Sequence, residues 1–260
     1  MEERQYISCI ASQSVFDSIV SIQVEKLSII IPAYNEALTL ARLVERIHCA
    51  PKIPVDKELI VIDDASTDGT NSIALELLGE KKIQYLHRLA TNQGKGRAVR
   101  EGLRFASGEI VLIQDADLEY APSDYGNLLA PILNRQADIV FGSRFKDGAW
   151  GDENSGAYFF NTLANHALTF LSNQISGLHL SDIAACYKAF RREVLNELTI
   201  EEARFGIDAE LVMKCAKLAR EKGVQLVEVG IGYRARRFEE GKKIRWRDGF
   251  SVLSAIWKYR

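Results

Sequence analysis

At 260 residues the chain is long enough for one complete hydrophobic core, alone or with a small appendage. Its 47% apolar and 26% charged content is that of an ordinary soluble globule, and no apolar run approaches the roughly 20 residues that span a bilayer, which excludes an integral membrane bundle. The net charge of −2 conceals an asymmetry, because from Arg234 onward nine basic residues face three acidic ones. Residues 1–26 show no clear period and few turn signals, and are expected to form an extension with a short helix near Ser14–Ile22. Regular structure begins at Leu27–Pro32 (LSIIIP), a β-branched run expected of a strand buried on both faces. Ala37–Ala50 follows as a helix with Leu40, Leu43, Val44 and Ile47 on one face, and Glu58–Ile62 as a second buried strand. Ser66–Leu78 is a predicted helix entered through Ser66-Thr67-Asp68, Ile83–Leu86 a third strand, Gly96–Ala106 a helix and Ile110–Ile113 a fourth strand.

Pro122-Ser123 then opens a helix to about Arg135, Asp138–Phe141 is a strand, and residues 145–156 (FKDGAWGDENSG) read as a loop rich in glycine and charge. Helices are expected over Tyr158–Ser172, Arg192–Leu198 and Asp208–Lys222, a strand over Val224–Tyr233 and a last helix over Trp246–Tyr259. Trp246, Phe250, Leu253 and Trp257 form one stripe on that helix, read as core or a homodimer contact ahead of a membrane anchor. Cys9, Cys49, Cys186 and Cys215 are far apart with no Cys-x-x-Cys pair, which argues against a zinc site or disulfide framework and fits a reducing cytosol. The acidic N-terminus lacks the apolar core of a secretory signal, so a cytoplasmic location is expected, with any membrane contact made from that side.

Strands alternating with helices at short spacing predict an α/β fold, a mostly parallel sheet with helices on both faces. The expected organisation is one domain over 27–233, ending in a strand, and then a basic segment and amphipathic helix over 234–260. In such sheets ligands bind beyond the carboxyl ends of the strands. Four polar clusters fall there: Tyr34-Asn35-Glu36, Asp63-Asp64, Thr91–Gly96 (TNQGKG) and Asp115 with Asp117. Gly94-Lys95-Gly96 is not a P-loop, since the spacing and the following Ser or Thr are missing, and reads as a tight turn into a helix.

The pair Asp115 and Asp117 carries the most chemical information. Side chains two apart on an extended segment point the same way, so both carboxylates can face one spot. Two like charges about 4 Å apart interact by ~4 kcal/mol at an effective dielectric near 20, and a bare pair would repel a phosphate. A Mg²⁺ or Mn²⁺ between them reverses the sign, because hard cations bridge carboxylate and phosphate oxygens. Asp-x-Asp also occurs in solvated turns, and Glu36 could equally be a first-turn acid matched to its helix dipole.

The ordered motifs IPAYNE (31–36), VIDDASTDGT (61–70), NQGKGRAVREG (92–102), DADLE (115–119), GSRF (142–145) and RRFEEGKKI (236–244) resemble the family 2 glycosyltransferases, nearest the dolichyl- and polyprenyl-phosphate sugar transferases. The resemblance runs from about Leu27 to the C-terminal helix. It implies a GT-A fold, a nucleotide-diphosphate sugar donor (UDP- or GDP-), a divalent cation and inversion at the anomeric carbon. Carried over residue by residue, Pro32, Tyr34 and Glu36 would line the nucleotide pocket, and Ile62 and Asp64, with Asp63 close by, would meet base or ribose. Asp115 and Asp117 would hold metal and diphosphate, with Gln114 and Ala116 contributing backbone. Arg144 would lie by the donor, and Arg236 and Lys242 would close over its phosphates.

No histidine falls in a rim motif, and a lipid phosphate, with a second pKa near ~6, needs no base to attack. A polyprenyl-phosphate acceptor is therefore expected, with peripheral membrane contact and no nucleic-acid partner. A glycan or small-molecule hydroxyl acceptor is the alternative, with Asp182, Asp208 and Glu210 as candidate bases. A non-catalytic sugar-nucleotide-binding scaffold is the third reading. The chain departs from the resemblance at Ala184 and Ala185, beside Asp182 in SDIAACYKAF, and at Ala203, Ile207, Asp208 and Ala209 in ARFGIDAE.

Overall fold

The computed structural model describes residues 26–146, 156–236 and 248–260. The helix expected near Ser14–Ile22, most of the 145–156 loop, Lys242 and Trp246 lie outside the described residues. The first half alternates strictly: β1 (Lys26–Ala33), α1 (Leu40–Cys49), β2 (Asp56–Asp63), α2 (Thr70–Gly79), β3 (Tyr85–Arg88), α3 (Lys95–Leu103) and β4 (Ile110–Ile113). A 3₁₀ turn at Pro122–Asp124 leads into α4 (Tyr125–Leu133), then β5 (Ile139–Ser143) and α5 (Gly156–Ser176). The chain continues through β6 (Lys188–Arg191), α6 (Arg192–Asn196), α7 (Ile207–Lys222), β7 (Leu226–Gly230) and α8 (Asp248–Lys258).

The seven strands form one sheet in the order β3-β2-β1-β4-β6-β5-β7. All pairings are parallel except those of β6, which runs antiparallel to β4 and β5. The mostly parallel α/β sheet expected from the pattern is the one that forms. Leu27, Ile29, Ile30 and Ile31 of β1, Leu59–Ile62 of β2 and Ile110–Ile113 of β4 are all buried, as a sheet covered on both faces demands. β6 is absent from the sequence reading because KAFR is only four residues long and includes a buried lysine, Lys188.

Two helices begin later than their patterns suggest. Ser66 Oγ accepts from Asn35 N, and Asp68 Oδ1 accepts from Thr70 N, so these polar side chains cap a turn and α2 starts only at Thr70. α1 likewise begins at Leu40, after a turn that follows Asn35 at φ 51°.

The sheet order reverses at β1, with β2 and β3 on one side and β4 on the other. The carboxyl ends of β1 and β4 flank the crevice where open α/β sheets take their ligands. Ile30 is in register with Ile113, so Pro32 and Asp115 leave the sheet at the same level. Asn35, Ala65 and Leu118, one on each of three rim loops, hold left-handed conformations at φ 51°, 57° and 64°. Such conformations cost a non-glycine residue about 1–2 kcal/mol each, and they turn the loops sharply at the strand ends.

Candidate active site

A cleft of about 670 Å³ opens at this crevice. Pro32, Tyr34, Glu36, Asp64, Asp115, Ala116, Asp117, Arg144 and Arg236 all line it, so residues as distant in sequence as Glu36 and Arg236, 200 positions apart, share one cleft. The two acids leave β4 through Gln114, which is fully buried and works from below. Its Oε1 accepts from the hydroxyls of Tyr125 (2.8 Å) and Tyr187 (2.7 Å), and its Nε2 donates to the Asp115 carbonyl at 2.9 Å. Gln114 therefore fixes the loop backbone and does not itself line the cleft.

Among the described residues the Asp117 carboxylate receives one backbone donor, Glu119 N at 3.1 Å. Desolvation, then the carboxylates of Asp115 and Glu119, push its pKa up to about 8. Burial and the acidic neighbours outweigh the nearby Arg236 guanidinium. Asp115 is better supplied, with the Lys95 ammonium at 3.3 Å. Lys95 also lies 3.3 Å from Asp208, which receives the buried Lys188 at 2.8 Å. Burial alone would lower the Lys95 pKa, but Asp115 and Asp208 together raise it well above the ordinary value. Asp208 is held below its ordinary value, the two lysines outweighing its desolvation.

Gly94 and Gly96 explain how Lys95 gets there. A Cβ on Gly96 would lie 2.1 Å from the Glu202 carbonyl oxygen, and Gly94 sits at φ 96° against Arg204. Only glycines let the turn slide under the 202–204 segment and aim Lys95 inward. The sequence reading took this motif for a turn; the flanking glycines around a lone lysine were the available signal.

Arg236 closes the opposite side. Its Nε donates to the Asp117 carbonyl at 2.7 Å, and its terminal nitrogens reach Glu36 at 2.6 and 3.2 Å. Glu119, missed as a site residue, straps this segment down by accepting from Arg236 N (2.9 Å) and the Tyr233 hydroxyl (3.1 Å). Arg144 is bound by Asp182 through two contacts of 2.6 and 2.8 Å, and its guanidinium lies 5.1 Å from the centre of the Tyr233 ring. Asp182 also receives Asn165 at 3.1 Å and stays ionised because Arg144 outweighs its desolvation.

Three expectations are not met by the side chains concerned. Ile62 is fully buried in β2, packed beneath α3 near Gly102, and does not line the cleft. Asp63 is fully buried too, accepting from Ser66 N at 2.9 Å and pairing with Arg88 at 3.3 Å, so it shapes the loop from behind. Asp182 sits beneath Arg144, outside the cleft lining. Asp64 does line the cleft, yet its oxygens take Gln93 N (2.7 Å), Gly94 N (2.7 Å) and Asn92 Nδ2 (3.0 Å) and so tie down the TNQGKG turn.

The acidic pair fits a hard divalent cation. Such ions take oxygen ligands only, and two carboxylates leave positions for phosphate and water oxygens. Among the described residues no group of three His, Cys, Asp or Glu side chains forms a protein-only cluster, so the remaining ligands would come from the donor and solvent.

A model of glycosyl transferase family 2 matches residues 28–199. The chain is 33% identical over 190 residues to the glycosyltransferase AglJ of Haloferax volcanii, a match that takes in 73% of this chain and 58% of that longer protein. It is 30% identical over 239 residues to the polyprenol monophosphomannose synthase of Mycolicibacterium smegmatis, covering 88% of this chain and 84% of the relative. Glucosyl-3-phosphoglycerate synthase of Mycobacterium tuberculosis, crystallised with Mn²⁺, UDP-glucose and phosphoglyceric acid, superposes with a TM-score of 0.69. That superposition covers 90% of this chain and 79% of the other at 21% identity, a likeness of fold.

Proposed function

The chain belongs to glycosyl transferase family 2, and from that premise we propose that it moves a hexose from a UDP- or GDP-sugar to a polyprenyl phosphate, with inversion and with the help of Mg²⁺ or Mn²⁺. The reaction forms a bond from an acceptor phosphate oxygen to the anomeric carbon and breaks the bond from that carbon to the β-phosphate oxygen. Asp115 and Asp117 would hold the cation, which supplies positive charge where the departing diphosphate accumulates negative charge. Tyr34 and Asp64 would border the nucleoside end of the donor. Arg236 would turn its terminal nitrogens from Glu36 to the phosphates, and Lys242 would join it from the same segment. Arg144, held rigid by Asp182, would face the reacting centre.

One observation carries the choice of acceptor. Every carboxylate considered as a base for a hydroxyl acceptor is already committed. Asp182 is bound by Arg144, Asp208 by Lys95 and Lys188, and Glu210 by Lys214 and the Glu201 and Glu202 amides. A phosphate monoester is largely ionised at neutral pH and attacks without a base. The name of the mycobacterial relative, a polyprenol monophosphomannose synthase, supports the same reading. The enzyme would work at the cytoplasmic membrane face.

The test is a transfer assay with UDP- and GDP-hexoses against a polyprenyl phosphate and a panel of soluble sugar hydroxyls. Sugar appearing only on the lipid phosphate, and only with cation present, is the expected result. Transfer to the hydroxyl panel alone would overturn the acceptor. Donor binding without turnover on any acceptor would overturn catalysis altogether.

A further inference from the structure

Of the eight exposed large apolar side chains among the described residues, five lie on two helices that pack together: Leu163 and Phe170 on α5, and Phe250, Leu253 and Trp257 on α8. The spacing is ordered. Residues 250, 253 and 257 share one helical stripe, and residues 163 and 170 are two turns apart. Trp257 is 63% and Phe170 66% exposed, while Ala255 and Ile256 on the other side of α8 are buried. α8 is thus docked on the domain by one apolar side and presents a second to solvent.

These helices also wall the cleft. Asn165 and Leu168 of α5 line it, as do Gly249 and Val252 of α8. The exposed apolar faces therefore belong to the same elements that border the cleft. The stretch from Arg234 to the end carries nine basic residues against three acidic ones, and the Arg260 guanidinium lies 3.6 Å from the centre of the Trp257 ring. Aromatic side chains beside Arg and Lys are the pairing suited to the headgroup level of a bilayer. No helix among the described residues is long and apolar enough to cross a membrane, so contact through these helices would be peripheral.

We propose that the outer faces of α5 and α8 form a docking surface for a bilayer containing anionic lipid, seating the cleft against the headgroup layer. The proposal rests on the lipid-phosphate reading above and names the surface through which that acceptor is reached. A second copy is the weaker occupant. Its own Lys258 and Arg260, at the end of α8, would meet those of this copy with like charge, and it would cover the helices bordering the cleft.

The test is co-sedimentation of the full chain with phosphatidylcholine vesicles, with and without phosphatidylglycerol. It compares wild type, the triple variant Phe250→Ser/Leu253→Ser/Trp257→Ser, and Leu75→Ser, which removes an exposed leucine from α2. Wild type and Leu75→Ser are expected to bind the anionic vesicles. The triple variant is expected to lose at least about tenfold in binding while its melting temperature falls by only a few degrees, since Phe250, Leu253 and Trp257 are 65%, 42% and 63% exposed. Transfer to a vesicle-borne polyprenyl phosphate should fall in parallel, while transfer to a short water-soluble isoprenyl phosphate stays within about twofold of wild type. Wild type that ignores both kinds of vesicle, or a triple variant that binds as well as wild type, overturns the surface. A dimer in analytical ultracentrifugation that the triple variant abolishes while vesicle binding persists gives the face to a second copy, and also overturns it. The two readings fail separately. Vesicle binding lost in the triple variant, without transfer to any lipid phosphate, keeps the surface and sinks the acceptor; transfer in detergent by a protein that ignores vesicles does the reverse.

Discussion

Glu58, near the start of β2, and Asp117, beyond the end of β4, occupy opposite ends of the sheet and are treated in opposite ways. Glu58 is 1% exposed but accepts from Ser28, from the amide and hydroxyl of Ser107 and from Gly108 N, with the Lys26 ammonium at 2.6 Å. Desolvation would raise its pKa, yet Lys26 and these donors bring it down to about 2. Among the described residues Asp117 has one amide donor and two acidic neighbours, which together with burial outweigh Arg236, and its pKa climbs to about 8. The fold surrounds one carboxylate with donors and a cation and leaves the other with its charge poorly compensated. That is the contrast expected between a structural acid and the cation-holding one proposed above.

The largest effect expected from breaking the contrast is on chemistry. Asp117→Ala should cost at least about 10³-fold in transfer, roughly 4 kcal/mol, with circular dichroism preserved and the melting temperature not lowered. Glu58→Gln should instead leave the reaction intact and destabilise the fold by about 2–3 kcal/mol at pH 7, measured by urea unfolding. Because the folded pKa of Glu58 is lowered, its contribution is present above its unfolded value near 4.5 and fades as pH falls through about 2. The gap between wild type and Glu58→Gln should close over that window. Arg236→Ala comes next on the catalytic side, at about 10²-fold, ~2.7 kcal/mol, because it removes the guanidinium proposed to turn from Glu36 to the phosphates while leaving the acids.

The smallest effect sharpens the comparison most. The Asp117 pKa is raised on folding, so the ligand-free protein loses stability as pH rises from about 4 to about 8, where the unfolded chain ionises and the folded one resists. Asp117→Asn should match wild type in unfolding at pH 4 and exceed it by about 1–2 kcal/mol at pH 8. A variant equally stable at both pH values would mean that the site does not strain the empty fold.

The β-branched runs of β1, β2 and β4 made the sheet legible, because strands buried on both faces are apolar without a break. β6 was not legible, since Lys188 interrupts its pattern and its charge is answered by Asp208, a residue on another element. The rim motifs were readable for the same reason as the strands: four loops after four strand ends must converge. Sequence could not show which member of Asp63-Asp64 faces the cleft, since Asp63 still belongs to β2 and is buried while Asp64 lies just beyond the strand end. Nor could it show that Lys95 reaches Asp115, which depends on the close approach of residues 202–204 to Gly94 and Gly96. On α8 the expected stripe of Phe250, Leu253 and Trp257 proved to be exposed. Val252, Ala255, Ile256 and Tyr259 form a competing apolar side, and periodicity alone cannot choose between two such sides.

In the proposed reaction Asp115 and Asp117 hold the nucleotide-sugar through a divalent cation. The most direct measurement is the melting temperature of wild type and Asp117→Asn with UDP- and GDP-hexoses, in Mn²⁺ and in excess chelator. A donor that binds the folded state at 100 times its Kd contributes about 2.7 kcal/mol, a shift of several degrees. Wild type should show that shift in Mn²⁺ only, and Asp117→Asn none. An equal shift in chelator, or one undiminished in Asp117→Asn, would contradict this.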